Sequence, residues 1–139
     1  MDYLSEMFEL QAELNKRIRI DTADIGRMLR TAPGNNAEVL VPLVATWTQK
    51  FTTAMQQELA ELVDCVSWKW WLPGHAQPYD HQNARVEIVD LFHFLISLAQ
   101  LHGMSAEDVF NAYKAKHRIN HERQDSGYVK KDPDDCKGI

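Results

Sequence analysis

The chain has 139 residues, 45% hydrophobic and 25% charged, with a formal net charge of −5. That length predicts one domain able to bury a real core, and the composition is ordinary for a globular protein. The acidic balance argues against a protein that wraps duplex nucleic acid, so no nucleic-acid partner is expected; a local basic patch could still hold phosphates.

Cys65 and Cys136 are far apart and belong to no C-x-x-C, which suggests neither a disulfide framework nor a thiolate zinc site. A reducing cytoplasm fits. Acids stand among the first residues with no apolar core of a leader, so no signal peptide is expected. No uninterrupted apolar run approaches the length of a membrane span, so no membrane partner is expected either.

Residues 2–20 read as an amphipathic helix with Leu4, Met7, Phe8, Leu10, Leu14 and Ile18 on its stripe. Gln11 and Asn15 are i,i+4 neighbours beside that stripe, where amides either satisfy core polar groups or read a ligand. Residues 21–36 are weakly patterned. Thr22 could cap a short turn through Leu29, and the Pro, Gly and Asn of residues 31–36 predict a loop.

Residues 38–71 read as a long helix, with Pro42 in its first turn and Leu43, Trp47, Phe51, Met55, Leu59, Leu62 and Val66 in phase. It frays within Trp68-Lys69-Trp70-Trp71. That cluster is either a hydrophobic plug with a snorkelling lysine or a flat stacking surface beside a phosphate-binding ammonium. Residues 72–83, with Pro73, Gly74 and Pro78, read as a loop. Residues 84–102 form a strongly apolar helix expected to be central and mostly buried, and Gly103 ends it.

Ser105 with Asp108 predicts a capping box opening a helix over 106–123. The far end of that helix is rich in donors, including Lys116, Asn120 and Arg123. Gly127-Tyr128 breaks it, and residues 129–139 are expected to form a flexible polar tail, disordered or docked on a partner. No glycine-rich phosphate loop is present in the sequence. The architecture expected is all-α, a bundle of four to five helices forming one domain over residues 1–128.

Two acidic pairs organise this chain. Glu58 with Glu61, and Glu87 with Asp90, have the i,i+3 spacing that puts both carboxylates of a pair on one helix face. Both pairs lie close to the apolar stripe. Four carboxylates turned toward one core repel one another and lose hydration, a cost no domain of this size tolerates uncompensated. A hard divalent cation such as Mg2+ removes that cost, because it takes oxygen ligands. One such pair alone is ordinary on a solvated helix rim. Two pairs on successive helices predict a metal cage between two antiparallel helices.

The blocks Leu10-Gln11 with Leu14-Asn15, Glu58 to Leu62 with Trp68 to Trp71, Glu87 to Phe94, and Lys116 to Tyr128 span nearly the whole chain. In that order they resemble the all-α nucleoside triphosphate pyrophosphatases, and within them the dimeric dUTPase family, in a compact phage-type form. The resemblance implies that Glu58, Glu61, Glu87 and Asp90 hold Mg2+, with Mn2+ able to substitute. A metal-activated water then converts dUTP to dUMP and pyrophosphate, and one of Glu58 and Glu61 could act as base. It further implies that Gln11 and Asn15 face the pyrimidine and that Trp68 or Trp71 walls the base. His93 and Phe94 would flank the deoxyribose. Lys69, Lys116, Asn120, Arg123 and Tyr128 would contact phosphates.

The phage dCTPase–dUTPases share the E-x-x-D-x-x-H-F and R-Q-x-x-G-Y blocks, so dCTP is a second candidate substrate. Where family tails close with E-D-N, this chain has Asp134-Asp135-Cys136. Two alternatives stand beside this reading: a house-cleaning pyrophosphatase of the MazG type with broader substrates, and a non-enzymatic helical module that binds a cation. The apolar surface left by so few helices predicts a homodimer or higher oligomer.

Overall fold

A computed structural model describes residues 2–32, 34–72, 77–127, 129–130 and 132–139, with the backbone alone for residues 34–36. Its elements are α1 (Tyr3–Arg17), α2 (Thr22–Thr31), a 3-10 segment (Gly34–Leu40), α3 (Val41–Asp64), α4 (His81–Leu101) and α5 (Ala106–Asp125). Among the described residues there is no strand.

Helix starts follow local chemistry. Asp2, Asp21, Asp80 and Ser105 each accept a hydrogen bond from a backbone N–H of the first turn they cap. The predicted box is present: Ser105 Oγ accepts from Asp108 N at 3.1 Å, and Asp108 Oδ2 accepts from Ser105 N at 2.8 Å. Pro42 lies in the first turn of α3. Gly103 follows α4 with φ +82°, a backbone state that favours glycine.

Several boundaries differ from the sequence expectation, and α4 begins at His81, three residues before the expected start. α2 is a full helix capped by Asp21, not a short turn capped by Thr22. Its Gly26 is where α2 crosses α4: a Cβ there would collide with the Gln100 carbonyl oxygen. The predicted loop over 31–36 is partly taken by the 3-10 segment, and Pro33 lies outside the described residues. α3 stops at Asp64 rather than Trp71, because Cys65 turns the chain: its carbonyl accepts from Asp80 N at 2.9 Å and its thiol from Asn83 Nδ2 at 3.4 Å. Pro73 and Gly74 lie outside the described residues.

α4 packs most extensively on α3 and also lies against α1 and α2. Thr48 meets His102, Phe51 meets Phe94, and the Glu58 region meets Glu87, so α3 and α4 run antiparallel. The core is Ile20, Ile25, Phe51 and Leu101, flanked by Met28, Val44, Trp47, Phe94 and Leu98.

The expectation that α4 is mostly buried needs correction. It is central, yet Ile88, Val89, Phe92 and Leu95 are 44 to 53% exposed in the single chain. The other helices cover two sides of α4 and leave the third bare. α5 has no buried residue at all. The tail does not hang free of the body: Arg123 on α5 holds Asp135, and Lys116 donates to Cys136 Sγ at 3.0 Å.

Candidate active site

The two acidic pairs meet where α3 and α4 face each other. Glu58, Glu61 and Glu87 each present a carboxylate oxygen, and these oxygens lie within 4.8 Å of one another. Asp90 stands outside this compact triad, but its charge acts on Glu58. Gln57 Nε2 donates to Glu61 Oε1 at 3.1 Å and steadies that carboxylate.

The electrostatics are those of a crowded anionic site. Glu58 is pushed up to about 7 from an ordinary 4.5. Its hydrogen bond with Glu87 comes first among the causes, followed by burial and by the charges of Glu61, Asp90 and Glu87. Two carboxyl groups can share such a bond only while one of them keeps a proton. Glu87 is 5% exposed, and its Oε2 has no hydrogen-bond partner among the described residues.

A buried carboxylate oxygen without a donor is costly. A hard cation would satisfy it and remove the repulsion among three acids, so the donor set fits Mg2+ or Mn2+: all oxygen, all carboxylate, converging from two rigid helices.

The other predicted residues lie on α1, α4 and α5 and beyond the end of α3. Gln11 and Asn15 are both buried, 5 and 3% exposed. Gln11 Nε2 donates to Asn15 Oδ1 at 2.9 Å and Ser97 Oγ at 3.1 Å, and Asn15 Nδ2 donates to Thr22 Oγ1 and Ser97 Oγ, each at 3.0 Å. Of the two roles open to these amides, the single chain displays the satisfaction of core polar groups.

His93 reaches the surface, with Nδ1 at 2.6 Å from Gln11 Oε1. Phe94 packs in the core, its ring centroid 6.3 Å from that of Phe51. Trp68 and Trp71 are exposed beyond α3, packed edge to face at 5.6 Å, so they form a corrugated cluster rather than a flat platform. Lys69 Nζ sits 5.5 Å from the Trp68 ring.

Lys116, Asn120 and Arg123 lie on α5. Arg123 grips Asp135 through two bonds, Nε to Oδ2 at 2.6 Å and Nη2 to Oδ1 at 2.5 Å. That contact holds the Asp135 carboxyl below its usual range. Tyr128 lies outside the described residues.

Ser97 and Gln100 were not singled out from the sequence, and Thr22 only as a cap, though all three are buried: Thr22 and Ser97 bond Asn15, and Gln100 bonds Thr22. The signal for two of them was present: His93, Ser97 and Gln100 recur at i, i+4 and i+7 as a polar stripe on an otherwise apolar helix.

An all-helical chain with carboxylates converging from two antiparallel helices has the fold of the all-α nucleoside triphosphate pyrophosphatases. The dUTPase family model matches residues 3–101 and 95–128, and the chain belongs to that family. It is similar to the dCTP pyrophosphatase of Enterobacteria phage T4, 28% identical over 107 residues that cover 61% of this chain and 63% of that protein. It is also similar to the dCTP pyrophosphatase of Enterobacteria phage LZ5, 29% identical over 148 residues covering 92% of this chain and 84% of that protein. The match thus spans just under two thirds of the T4 protein's length. No solved structure matches the chain. No helix among the described residues is long and apolar enough to cross a membrane.

Proposed function

We propose that this protein hydrolyses a pyrimidine deoxynucleoside triphosphate, dUTP or dCTP, to the monophosphate and pyrophosphate. The observation that carries this reading is the carboxylate triad within 4.8 Å on facing helices, with a buried Glu87 oxygen left without a donor, in a chain of the dUTPase family. Glu58, Glu61 and Glu87 would hold Mg2+, with Asp90 beside them. Magnesium bound there would neutralise charge on the triphosphate and would lower the pKa of water.

The chain's own groups supply the rest. One of Glu58 and Glu61, neighbours in the triad, would accept a proton from the attacking water. Arg123 takes a carboxylate with its two-pronged fork, and the same fork matches two phosphate oxygens. The exposed apolar face of α4 and the unburied α5 support assembly as a homodimer or higher oligomer.

The similarity to phage dCTP pyrophosphatases supports testing dCTP beside dUTP. The test is a panel of deoxynucleoside triphosphates with Mg2+, read by pyrophosphate release and repeated with EDTA. Turnover confined to dCTP or dUTP and abolished by EDTA supports the proposal. Equal turnover of purine triphosphates would favour a broad house-cleaning pyrophosphatase, and no turnover of any nucleotide would favour a non-catalytic module.

A further inference from the structure

The buried polar cluster between α1, α2 and α4 has a direction, and that direction ends at the surface. Gln100 Nε2 donates to the Phe8 backbone carbonyl at 2.7 Å. A carbonyl only accepts, so the amide of Gln100 must present its nitrogen there and its oxygen on the other side. That oxygen is 2.7 Å from Thr22 Oγ1, so the Thr22 hydroxyl spends its proton on it. Thr22 is then left as an acceptor, which fixes Asn15 with Nδ2 toward Thr22 at 3.0 Å.

Asn15 Oδ1 therefore faces Gln11 and takes Nε2 at 2.9 Å, which turns Gln11 Oε1 toward His93 Nδ1 at 2.6 Å. An amide oxygen only accepts, so Nδ1 carries the proton.

A second anchor enforces the same sense. Ser97 donates its hydroxyl proton to the His93 backbone carbonyl at 2.9 Å, and a weaker contact from the same hydroxyl reaches Asn15 Oδ1 at 3.4 Å. With that proton committed, Ser97 Oγ accepts from Gln11 Nε2 at 3.1 Å and Asn15 Nδ2 at 3.0 Å. Reversing either amide would point a carbonyl oxygen at an oxygen whose proton is already used. In a site where Thr22 and Ser97 are 0% exposed, water cannot compensate that mismatch.

In a neutral imidazole with Nδ1 protonated, Nε2 bears a lone pair. His93 lines an open groove of about 430 Å3 whose walls are mostly apolar, among them Leu10, Leu14, Val89 and Phe92, with the charged Glu13 and Arg17 also lining it.

We propose that Gln100, Thr22, Asn15 and Gln11 form a one-way hydrogen-bond relay that fixes His93 as its Nδ1–H tautomer, so that Nε2 accepts a hydrogen bond from a donor on the nucleoside. Gln100, Thr22 and Ser97 are positioning residues in this scheme, acting through His93. The ligand half rests on the nucleotide reading above; the tautomer half stands alone. The donor is a nucleoside N–H or O–H, and two groups supply it: the exocyclic amine of cytosine and the 3′-hydroxyl of the sugar. The carbonyl that replaces the amine in uracil would face a lone pair instead.

The test has two readouts on the full chain. The first is 15N NMR of the imidazole side chains, assigned through a His93→Phe spectrum. Nδ1 protonated and Nε2 bare in the neutral form is the expected result; the Nε2–H tautomer overturns the relay whatever the enzyme hydrolyses. The second compares Thr22→Val, which keeps the shape and removes the hydroxyl, with Thr22→Ser, which restores it. Thr22→Val should mix the two tautomers and raise KM for the preferred substrate about tenfold with kcat within about twofold, and Thr22→Ser should recover both.

Ser97→Ala, a smaller change at the second anchor, gives the same readouts should Thr22→Val not fold. An unchanged tautomer in every variant that folds overturns the relay. Substrate arms identify the donor: loss on going from dCTP to dUTP assigns the amine, and loss on going from dCTP to its 3′-deoxy analogue assigns the hydroxyl. Indifference to both overturns the ligand half. If the wild-type chain hydrolyses no nucleotide, the functional reading and the ligand half fall together, while the NMR result still decides the tautomer.

Discussion

Glu58 gives a stability signature that can be read without any substrate. In the metal-free protein its proton affinity is raised from 4.5 to about 7 by Glu87, by burial and by its acidic neighbours. A folded-state value above the unfolded one means that the folded state binds the proton more tightly. The associated stability is fully present below pH 4.5 and is lost as pH rises through about 7.

The full shift would correspond to roughly 3 kcal/mol. Glu58 is only partly buried, so solvent screening reduces this to about 1–2 kcal/mol. For a chain of this length that is a Tm loss of about 3–8 °C between pH 5 and pH 8 in EDTA. Glu58→Gln keeps the shape, cannot ionise and should flatten the slope. It should therefore be the more stable protein at pH 8 without metal. Millimolar Mg2+ should reverse the wild-type trend, because the cation competes with the proton and stabilises the ionised site. Thermal unfolding at four pH values, with EDTA or Mg2+, measures all of this. Equal slopes for wild type and Glu58→Gln in EDTA would refute the shared-proton account of the site.

Glu61→Gln, Glu87→Gln and Asp90→Asn should each lower the rate of pyrophosphate release at least about 100-fold while circular dichroism stays helical; near-wild-type turnover in two of them would dismantle the acid cage. Gly26→Ala should cost about 2–3 kcal/mol in urea unfolding, since its methyl meets the Gln100 carbonyl where two helix backbones cross. Asp135→Asn should lower KM for the triphosphate severalfold if Arg123 serves phosphate, because it removes the carboxylate charge now held by that guanidinium; an unchanged KM in steady-state assays would take Arg123 out of the phosphate site. Sedimentation at micromolar concentration should give a dimer or larger species, and a monomer alone would contradict the oligomer.

Much of this was legible because its causes are local. The acid pairs, the Ser105–Asp108 box and the glycine after α4 depend on neighbours three or four positions away, so spacing alone exposes them. α2 was under-read for the opposite reason. Gly26 looks like a helix breaker in sequence, and its justification is the backbone of α4, more than seventy positions along the chain. The end of α3 is also non-local: the apolar phase continues to Val66, but the bond from Asp80 to the Cys65 carbonyl pulls the chain out of the helix. Asp80 itself was missed as a cap because the prolines before it made the whole segment read as loop. For Gln11 and Asn15 the sequence showed two amides beside an apolar stripe; the polar stripe of α4 marked Ser97 and Gln100, but no spacing rule could join that stripe to Thr22 and the amides of α1.

The remaining gap concerns α4, and it shows what periodicity can and cannot establish. Its sequence is apolar nearly all round, which predicts cover on every side but says nothing of where that cover comes from. Within one chain, α3 takes the side bearing Glu87, Phe94 and Leu101, and α1 with α2 takes the side bearing Ser97 and Gln100. Ile88, Val89, Phe92 and Leu95 are left over, half exposed on one helix. Val89 and Phe92 line the same groove as Leu10 and Leu14 of α1, so the uncovered surface continues across two helices. An exposed patch of that breadth is costly for an isolated chain, and a second copy presenting the same patch would cover it through a two-fold axis. His93 lines that same groove, so the group that the buried relay orients lies beside the exposed apolar face. If a second copy covers that face and His93 meets a nucleoside as proposed, assembly would border the nucleoside pocket.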